Sequence, residues 1–237
     1  MADPSRVSAM STGFEHHTEP AHVVRDAYDA LAAVVLPLGD EESWRPTGCT
    51  GWAVRDLVFH LTGDAQRALV ALHTPAADPP DRDAVTYWRD WAPDPVGAAN
   101  GRRWNRVAGS MFLDFRQLKE LYLQTAAAAV RAAATTGPDR RVATQGHVLT
   151  AGDLMITLGV EAAVHHLDLI AGLPGAPGPS PTGLAAVRAT LDGLLGRPVP
   201  LEWSDEHYAR AGTGRTPLTE AERRALGADA DRFPLFS

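Results

Sequence analysis

Glu161 and His165 are the residues whose types and spacing point most directly to chemistry. They stand one helical turn apart in Gly159-Val160-Glu161-Ala162-Ala163-Val164-His165-His166-Leu167-Asp168-Leu169. Leu154, Leu158, Glu161, His165 and Asp168 follow one another at steps of four, three, four and three, which is one face of an α-helix. Leucines on that face predict that it is buried. A buried carboxylate is too costly to keep ionised without a partner, and a cation held by Glu161 and His165 would meet that need. The competing reading is an ordinary hydrogen bond between two side chains on an exposed helix. His166 leaves the helix about 100° away and is the poorer candidate.

A third ligand has to come from elsewhere in the chain. His60 sits beside Leu57 and Leu61, at the edge of the stripe Val54, Leu57, Leu61, Ala65, Ala68, Leu72. It completes a set with Glu161 and His165 if the two helices are neighbours, as facing helices are in bundle metal sites. Two histidines and a carboxylate make a catalytic zinc set with one open position. The same donors suit non-haem iron, so the ligand types leave the metal open between Zn2+, Fe2+ and another divalent ion. Asp168 and Asp64 are placed to accept the second ring N–H of such ligands. Cys49 reads as a small packing residue at a helix start, where the helix terminus would lower its pKa if it were reactive.

Long helices must position these residues. Residues 1–17 are polar and irregular and read as a flexible tail, with His16 and His17 solvated in it. Thr18 is the expected N-cap of a first helix ending near Gly39. Thr50 is the expected cap of a second, from about Trp52 to Leu72. A long Ala/Asp/Pro-rich connection follows, with a short helix near Val85–Trp91. Links of this length are often functional. Its neighbourhood holds Trp88, Trp91 and Trp104, which would cover the open end of the core or wall a pocket. A third helix ends near Ala134, its start open between Val96 and Ser110. Thr150 and Asp153 cap a fourth helix that carries Glu161 and His165 and stops near Gly172. The Pro/Gly-rich run Leu173 to Pro181 is a linker. Beyond it come a helix capped by Ser180, a short helix near Ser204–Ala211, and a last one with a Thr219/Glu222 capping box. No alternating strand stands out. The fold class is therefore all-α: a four-helix bundle over 18–173, with an additional helical segment over 174–237 packed on it.

Composition narrows the function. A net charge of −7 without a basic block excludes a general nucleic-acid binder. No uncharged apolar run reaches membrane-spanning length, and no signal peptide is visible. One cysteine allows no intrachain disulfide, and a cytoplasmic, reducing location follows as the expectation. Lys119 is the sole lysine among 22 basic residues, the mark of a GC-rich coding bias.

The run Trp44-Arg45-Pro46-Thr47-Gly48-Cys49-Thr50-Gly51-Trp52-Ala53-Val54-Arg55-Asp56-Leu57-Val58-Phe59-His60-Leu61, together with Glu161 to Leu169, resembles the N-terminal metal-binding domain of mycothiol-dependent maleylpyruvate isomerases. These belong to the wider DinB/YfiT-like superfamily of four-helix metalloproteins. The ending, Trp203 to Ser237 through Gly214-Arg215-Thr216-Pro217-Leu218-Thr219, looks like uncharacterised members of the same family. The resemblance implies zinc on His60, Glu161 and His165. It also implies an altered helix order around the long link, mycothiol as cosubstrate, and an actinobacterial source. It further implies an S-transferase or a cis-trans isomerase in which the metal-activated thiol attacks an electrophilic small molecule. Arg102, Arg103, Arg106 and Arg215 are the candidates for an acidic substrate. Other readings are a non-catalytic metal-binding protein and an iron enzyme of sulfur or natural-product metabolism. A homodimer is compatible with all of them.

Overall fold

The computed structural model describes residues 19–89 and 95–236. The tail with His16 and His17, the expected cap Thr18, and Trp91 lie outside the described residues.

In chain order the elements are α1 (Pro20–Val35), α2 (Asp40–Ser43), α3 (Val54–Leu72), α4 (Thr86–Arg89), α5 (Pro95–Ser110), α6 (Phe115–Thr135), β1 (Arg141–Thr144), β2 (His147–Thr150), α7 (Ala151–Ile170), α8 (Pro181–Leu195), α9 (Asp205–Gly212), α10 (Glu220–Leu226) and a 3-10 turn, Gly227–Arg232. The fold is all-α, a helical bundle with further C-terminal helices. Helices α1, α3, α6 and α7 form the bundle, with α7 packing on α1 and α3, and α6 on the same two. Their apolar stripes meet in a core that includes Val24, Leu31, Leu57, Leu61, Leu118, Tyr122, Leu154 and Leu158.

Helix α7 is apolar around most of its circumference because it is covered on two sides. Leu154, Leu158 and Ala162 face the bundle core, while Val160, Ala163, Val164 and Leu167 face a second core built with α8, α9 and Phe236. No described helix is long and apolar enough to cross a membrane.

Several expectations need correction. The second helix begins at Val54, not Trp52, and its first turn is closed by Asp56, which accepts the Ala53 N–H at 2.9 Å; Thr50 belongs to the preceding loop. The third helical stretch is two helices. Asp114 caps α6, accepting from Arg116 N at 2.8 Å, and so separates it from α5. A two-stranded antiparallel hairpin, with Thr144 opposite His147, was not expected. Its strands are too short for alternation to emerge, but Gln145-Gly146 is its turn signal. Asp81 ties the long connection to the hairpin through Val148 N, 2.8 Å, and His147 Nδ1, 2.9 Å.

Candidate metal centre and its pocket

The loop before α3 is folded back on itself and docks on the C-terminal end of α7. Thr47 N and Oγ1 both donate to Trp52 O, at 3.1 and 3.0 Å, and Gly51 turns the chain with φ of 79°. Gly48 N donates to Asp168 O at 2.8 Å, and a Cβ on Gly48 would lie 2.6 Å from Asp168 Oδ1. Glycine is thus required for the loop to lie against the Asp168 carboxylate. This docking brings Cys49, Thr50 and Trp52 to the same place as the polar face of α7.

That place is where α3 meets α7. His60 Nε2 lies 3.0 Å from His165 Nε2, 3.6 Å from Glu161 Oε1 and 3.2 Å from Asp64 Oδ2. One donor atom from each of His60, Glu161 and His165 falls within a 4.8 Å circle. Asp64 therefore stands on the same side of the His60 ring as His165, rather than behind it. Asp168 stands behind His165, its Oδ2 3.0 Å from Nδ1. His166 points elsewhere: it is 1% exposed and its Nε2–H donates to Pro177 O at 2.9 Å.

Two arginines hold the carboxylates, one of them, Arg67, missed in the sequence. Arg67 Nη2 donates to Glu161 Oε2 at 2.8 Å. Its signal in the sequence is its place on the inner face of α3, three residues after Asp64 and seven after His60. Arg215, expected as a substrate-binding candidate, forms a fork on Asp168, with Nε to Oδ1 at 3.0 Å and Nη2 to Oδ2 at 2.7 Å. It arrives from the turn after α9, so the C-terminal segment contributes to the centre.

The electrostatics follow from these contacts. Burial raises the Glu161 pKa, but Arg67 and the His60 bond outweigh it and bring it down to about 2. Burial lowers the His60 pKa, yet the carboxylates of Asp64 and Glu161 push it up to about 9. Asp168 is held well below the usual carboxylate range: burial opposes this, and the bonds from His165 and Arg215 prevail. Burial and the Asp168 charge push the Cys49 thiol up. Its S–H donates to Asp168 Oδ2 at 3.3 Å, and it lies in the loop, not at a helix terminus that would activate it.

Cys49, His165 and Asp168 also converge closely enough to suggest a metal group. Arg215 already occupies both Asp168 oxygens, and a neutral thiol is a poor donor, so this group is the weaker one. In the set of His60, Glu161 and His165, Arg67 takes only one Glu161 oxygen and Asp64 Oδ2 approaches only His60 Nε2, so Glu161 Oε1 and the facing imidazole nitrogens remain directed at one another.

A cavity of about 260 Å³ opens above the histidines. Cys49, Thr50, Trp52, His60, Glu161, Val164, His165, Arg215, Trp88 and Phe236 line it, with Arg102 at its edge. Trp88 is buried and stacks on Phe236 at 4.6 Å, so it both seals the second core and walls the cavity. Trp104 is 67% exposed and does neither. Thr50 and Arg102 also border a wider groove of about 820 Å³ that carries Arg103 and Arg106 along α5. Trp52 Nε1 donates to Arg102 O at 3.2 Å, which fixes α5 to the rim.

No curated protein sequence matches the chain significantly. Among solved structures it is similar to the crystal structure of the mycothiol-dependent maleylpyruvate isomerase. The TM-score is 0.52 and the identity 17%, over 73% of this chain and 68% of that chain. A histidine-to-alanine mutant of the mycothiol-dependent maleylpyruvate isomerase gives the same values. At that identity the likeness bears on the fold. The family described as the mycothiol maleylpyruvate isomerase N-terminal domain matches residues 24–170, from within α1 to the end of α7. Over that span, which holds His60, Glu161 and His165, the chain belongs to this enzyme family.

Proposed function

We propose that the chain is a thiol-dependent metalloenzyme that adds the sulfur of a low-molecular-weight thiol, mycothiol by family, to an electrophilic carbon of a small acidic molecule. The observation that carries this reading is the convergence of His60, Glu161 and His165 at the floor of a cavity that opens towards an arginine-lined groove.

The donor set fits a divalent cation. Two imidazole nitrogens face one another at 3.0 Å, so at most one of them carries a proton, and a cation would take the lone pairs of both. Glu161 turns one oxygen towards them and gives the other to Arg67. Zinc is the first expectation and Fe2+ the alternative. A divalent cation in this place supplies a Lewis acid that favours thiolate over thiol at neutral pH.

The chain's own residues supply the rest. Asp168 accepts from Nδ1 of His165, which fixes the tautomer and leaves Nε2 unprotonated. Arg215 keeps Asp168 ionised in that role. Trp52, Trp88, Val164 and Phe236 wall the cavity with apolar surface and limit water. Arg102 at the rim, with Arg103 and Arg106 beyond, offers guanidinium groups to a carboxylate. The thiol gives up its proton to solvent, a C–S bond forms, and the substrate's π electrons move to its electron-withdrawing group. Protonation of that adduct at carbon from solvent, followed by its release, is S-transfer. Rotation about the former double bond and expulsion of the thiolate is isomerisation.

We also read residues 18–173 as the metal-binding unit and 174–237 as the part that completes its pocket. The single cysteine favours a reducing, cytoplasmic setting.

The test is zinc stoichiometry and thiol-dependent turnover in folded single variants, with mycothiol and maleylpyruvate as first probes. H60A, E161A and H165A should each lose both, while H166A retains zinc. Full zinc retention by folded H60A would overturn the three-ligand reading.

A further inference from the structure

Arg67 is a largely enclosed cation set against the carboxylate of a site that is itself suited to a cation. Its side chain is 14% exposed, and its Nη2 holds Oε2 of Glu161 at 2.8 Å. The other carboxylate oxygen, Oε1, is the one turned towards His60 Nε2, at 3.6 Å. The far side of the guanidinium is also engaged. Nη1 donates to Tyr87 OH at 3.3 Å and to Gln145 Oε1 at 3.4 Å, and Tyr87 OH donates to the same Gln145 oxygen.

Three separate segments thus meet on the guanidinium that α3 carries: α7 through Glu161, the long connection through α4, and the hairpin turn. Gln145 occupies a left-handed backbone position, with φ of 48°, and Gly146 follows at 82°. A two-residue turn of this kind favours asparagine at its first position, because a larger side chain is strained there. Glutamine carries its amide one methylene further, to the point where it meets Tyr87 and Arg67. The strain at Gln145 is offset by that reach.

A carboxylate with both oxygens free can take two positions on a cation and crowd out a third party. A carboxylate with one oxygen committed to a guanidinium can take only one. We propose that Arg67, held in place by Tyr87 and Gln145, is a positioning residue that restricts Glu161 to a single ligating oxygen and so keeps a coordination position open for the thiol. This rests on the metal-centre reading given above. It assigns Arg67 no contact with substrate. Its positive charge works against cation binding, so affinity is given up for an open position.

The test uses the full chain loaded with Co2+, whose absorption reports coordination number, and 2-mercaptoethanol as the probe thiol. Wild type should bind Co2+ and develop a thiolate-to-cobalt charge-transfer band. R67M should bind Co2+ at least as tightly as wild type, show the weaker ligand-field bands of a higher coordination number, and lose affinity for the thiol by 10-fold or more. R67K, which can still engage one Glu161 oxygen, should recover most of the band. R67M with unchanged spectra and thiol affinity overturns the proposal. So does a folded R67M that no longer binds Co2+, since Arg67 would then be only a support for Glu161. If R67M fails to fold, the Y87F/Q145A double variant leaves Arg67 present but loosely held. It should lower thiol affinity about 3-fold, and no change there overturns the proposal. A wild-type protein that takes up no Co2+ overturns the metal centre itself, and this role with it. Normal Co2+ and thiol binding by both wild type and R67M overturns the role of Arg67 alone.

Discussion

Two arginine–carboxylate pairs hang from helix α7, two turns apart, and they are built in opposite senses. In the first, Glu161 shows one oxygen to His60 and has the other covered by Arg67. In the second, Asp168 has both oxygens gripped by Arg215 and reaches the centre only through the ring of His165. Both carboxylates are kept ionised by a guanidinium. Only the first is left with an oxygen for a cation. In the proposed metal centre, the place of the carboxylate relative to the imidazoles, rather than its charge, would separate a ligand from a residue that orients one. The arginines also come from different parts of the chain, one from inside the bundle and one from the C-terminal segment.

The largest expected contrast is in metal affinity. E161A removes a proposed ligand, and zinc content should fall to about a tenth of wild type or less. D168N removes an orienting charge, and zinc affinity should fall about 10–100-fold while stoichiometric loading survives at high zinc. Equal losses, measured by competition with a chelator, would erase the distinction between the two pairs.

The next effect is on stability without metal. D168A takes from Arg215 and His165 the carboxylate they share, which is 1% exposed, and leaves the Arg215 guanidinium with only Thr213 O at 3.0 Å. Urea unfolding should show a loss of about 2–4 kcal/mol. A loss below about 0.5 kcal/mol would mean that Arg215 finds another partner or solvent at little cost.

The loop that leans on Asp168 gives a smaller, geometric test. In G48A the new Cβ would sit 2.6 Å from Asp168 Oδ1, so loop and carboxylate must part. A destabilisation of about 1–3 kcal/mol is expected. It should be strongly reduced in the D168A background, where the obstacle is gone. Additive effects would place the strain elsewhere.

Acid should reveal the Asp168 pair in the metal-free protein. The folded pKa of Asp168 is depressed, so its stabilisation is complete above the ordinary carboxylate value near about 4 and is lost as pH falls towards the folded value. D168N should lack that component of the acid transition, and an identical pH profile would contradict the assignment. The smallest effect belongs to C49S. Its thiol donates to Asp168 and lies 3.8 Å from His165 Nδ1, contacts that a hydroxyl can replace, so zinc content should be unchanged and stability within about 1 kcal/mol.

Local signals in the sequence were sufficient where the physics is local. The stripes of α1, α3, α6 and α7 follow from helical spacing, and the caps Thr150, Ser180 and Thr219 each accept the backbone N–H expected of them. The pair Glu161 and His165 was legible for the same reason, since one helix fixes their relation. The break between α5 and α6 was also written locally, in the capping residue Asp114 ahead of Phe115, but Ala-rich periodicity on both sides masks it.

What the sequence alone determined is the helical class and the residues each helix presents on one face. Tertiary structure decided which faces meet. His60 reaches His165 only because α3 and α7 pack side by side, and helical periodicity carries no information about a neighbour a hundred residues away. The roles of Arg67, Arg215, Tyr87 and Gln145 were hidden for a related reason. An arginine reads as a solvated charge until packing removes the solvent and sets a carboxylate against it.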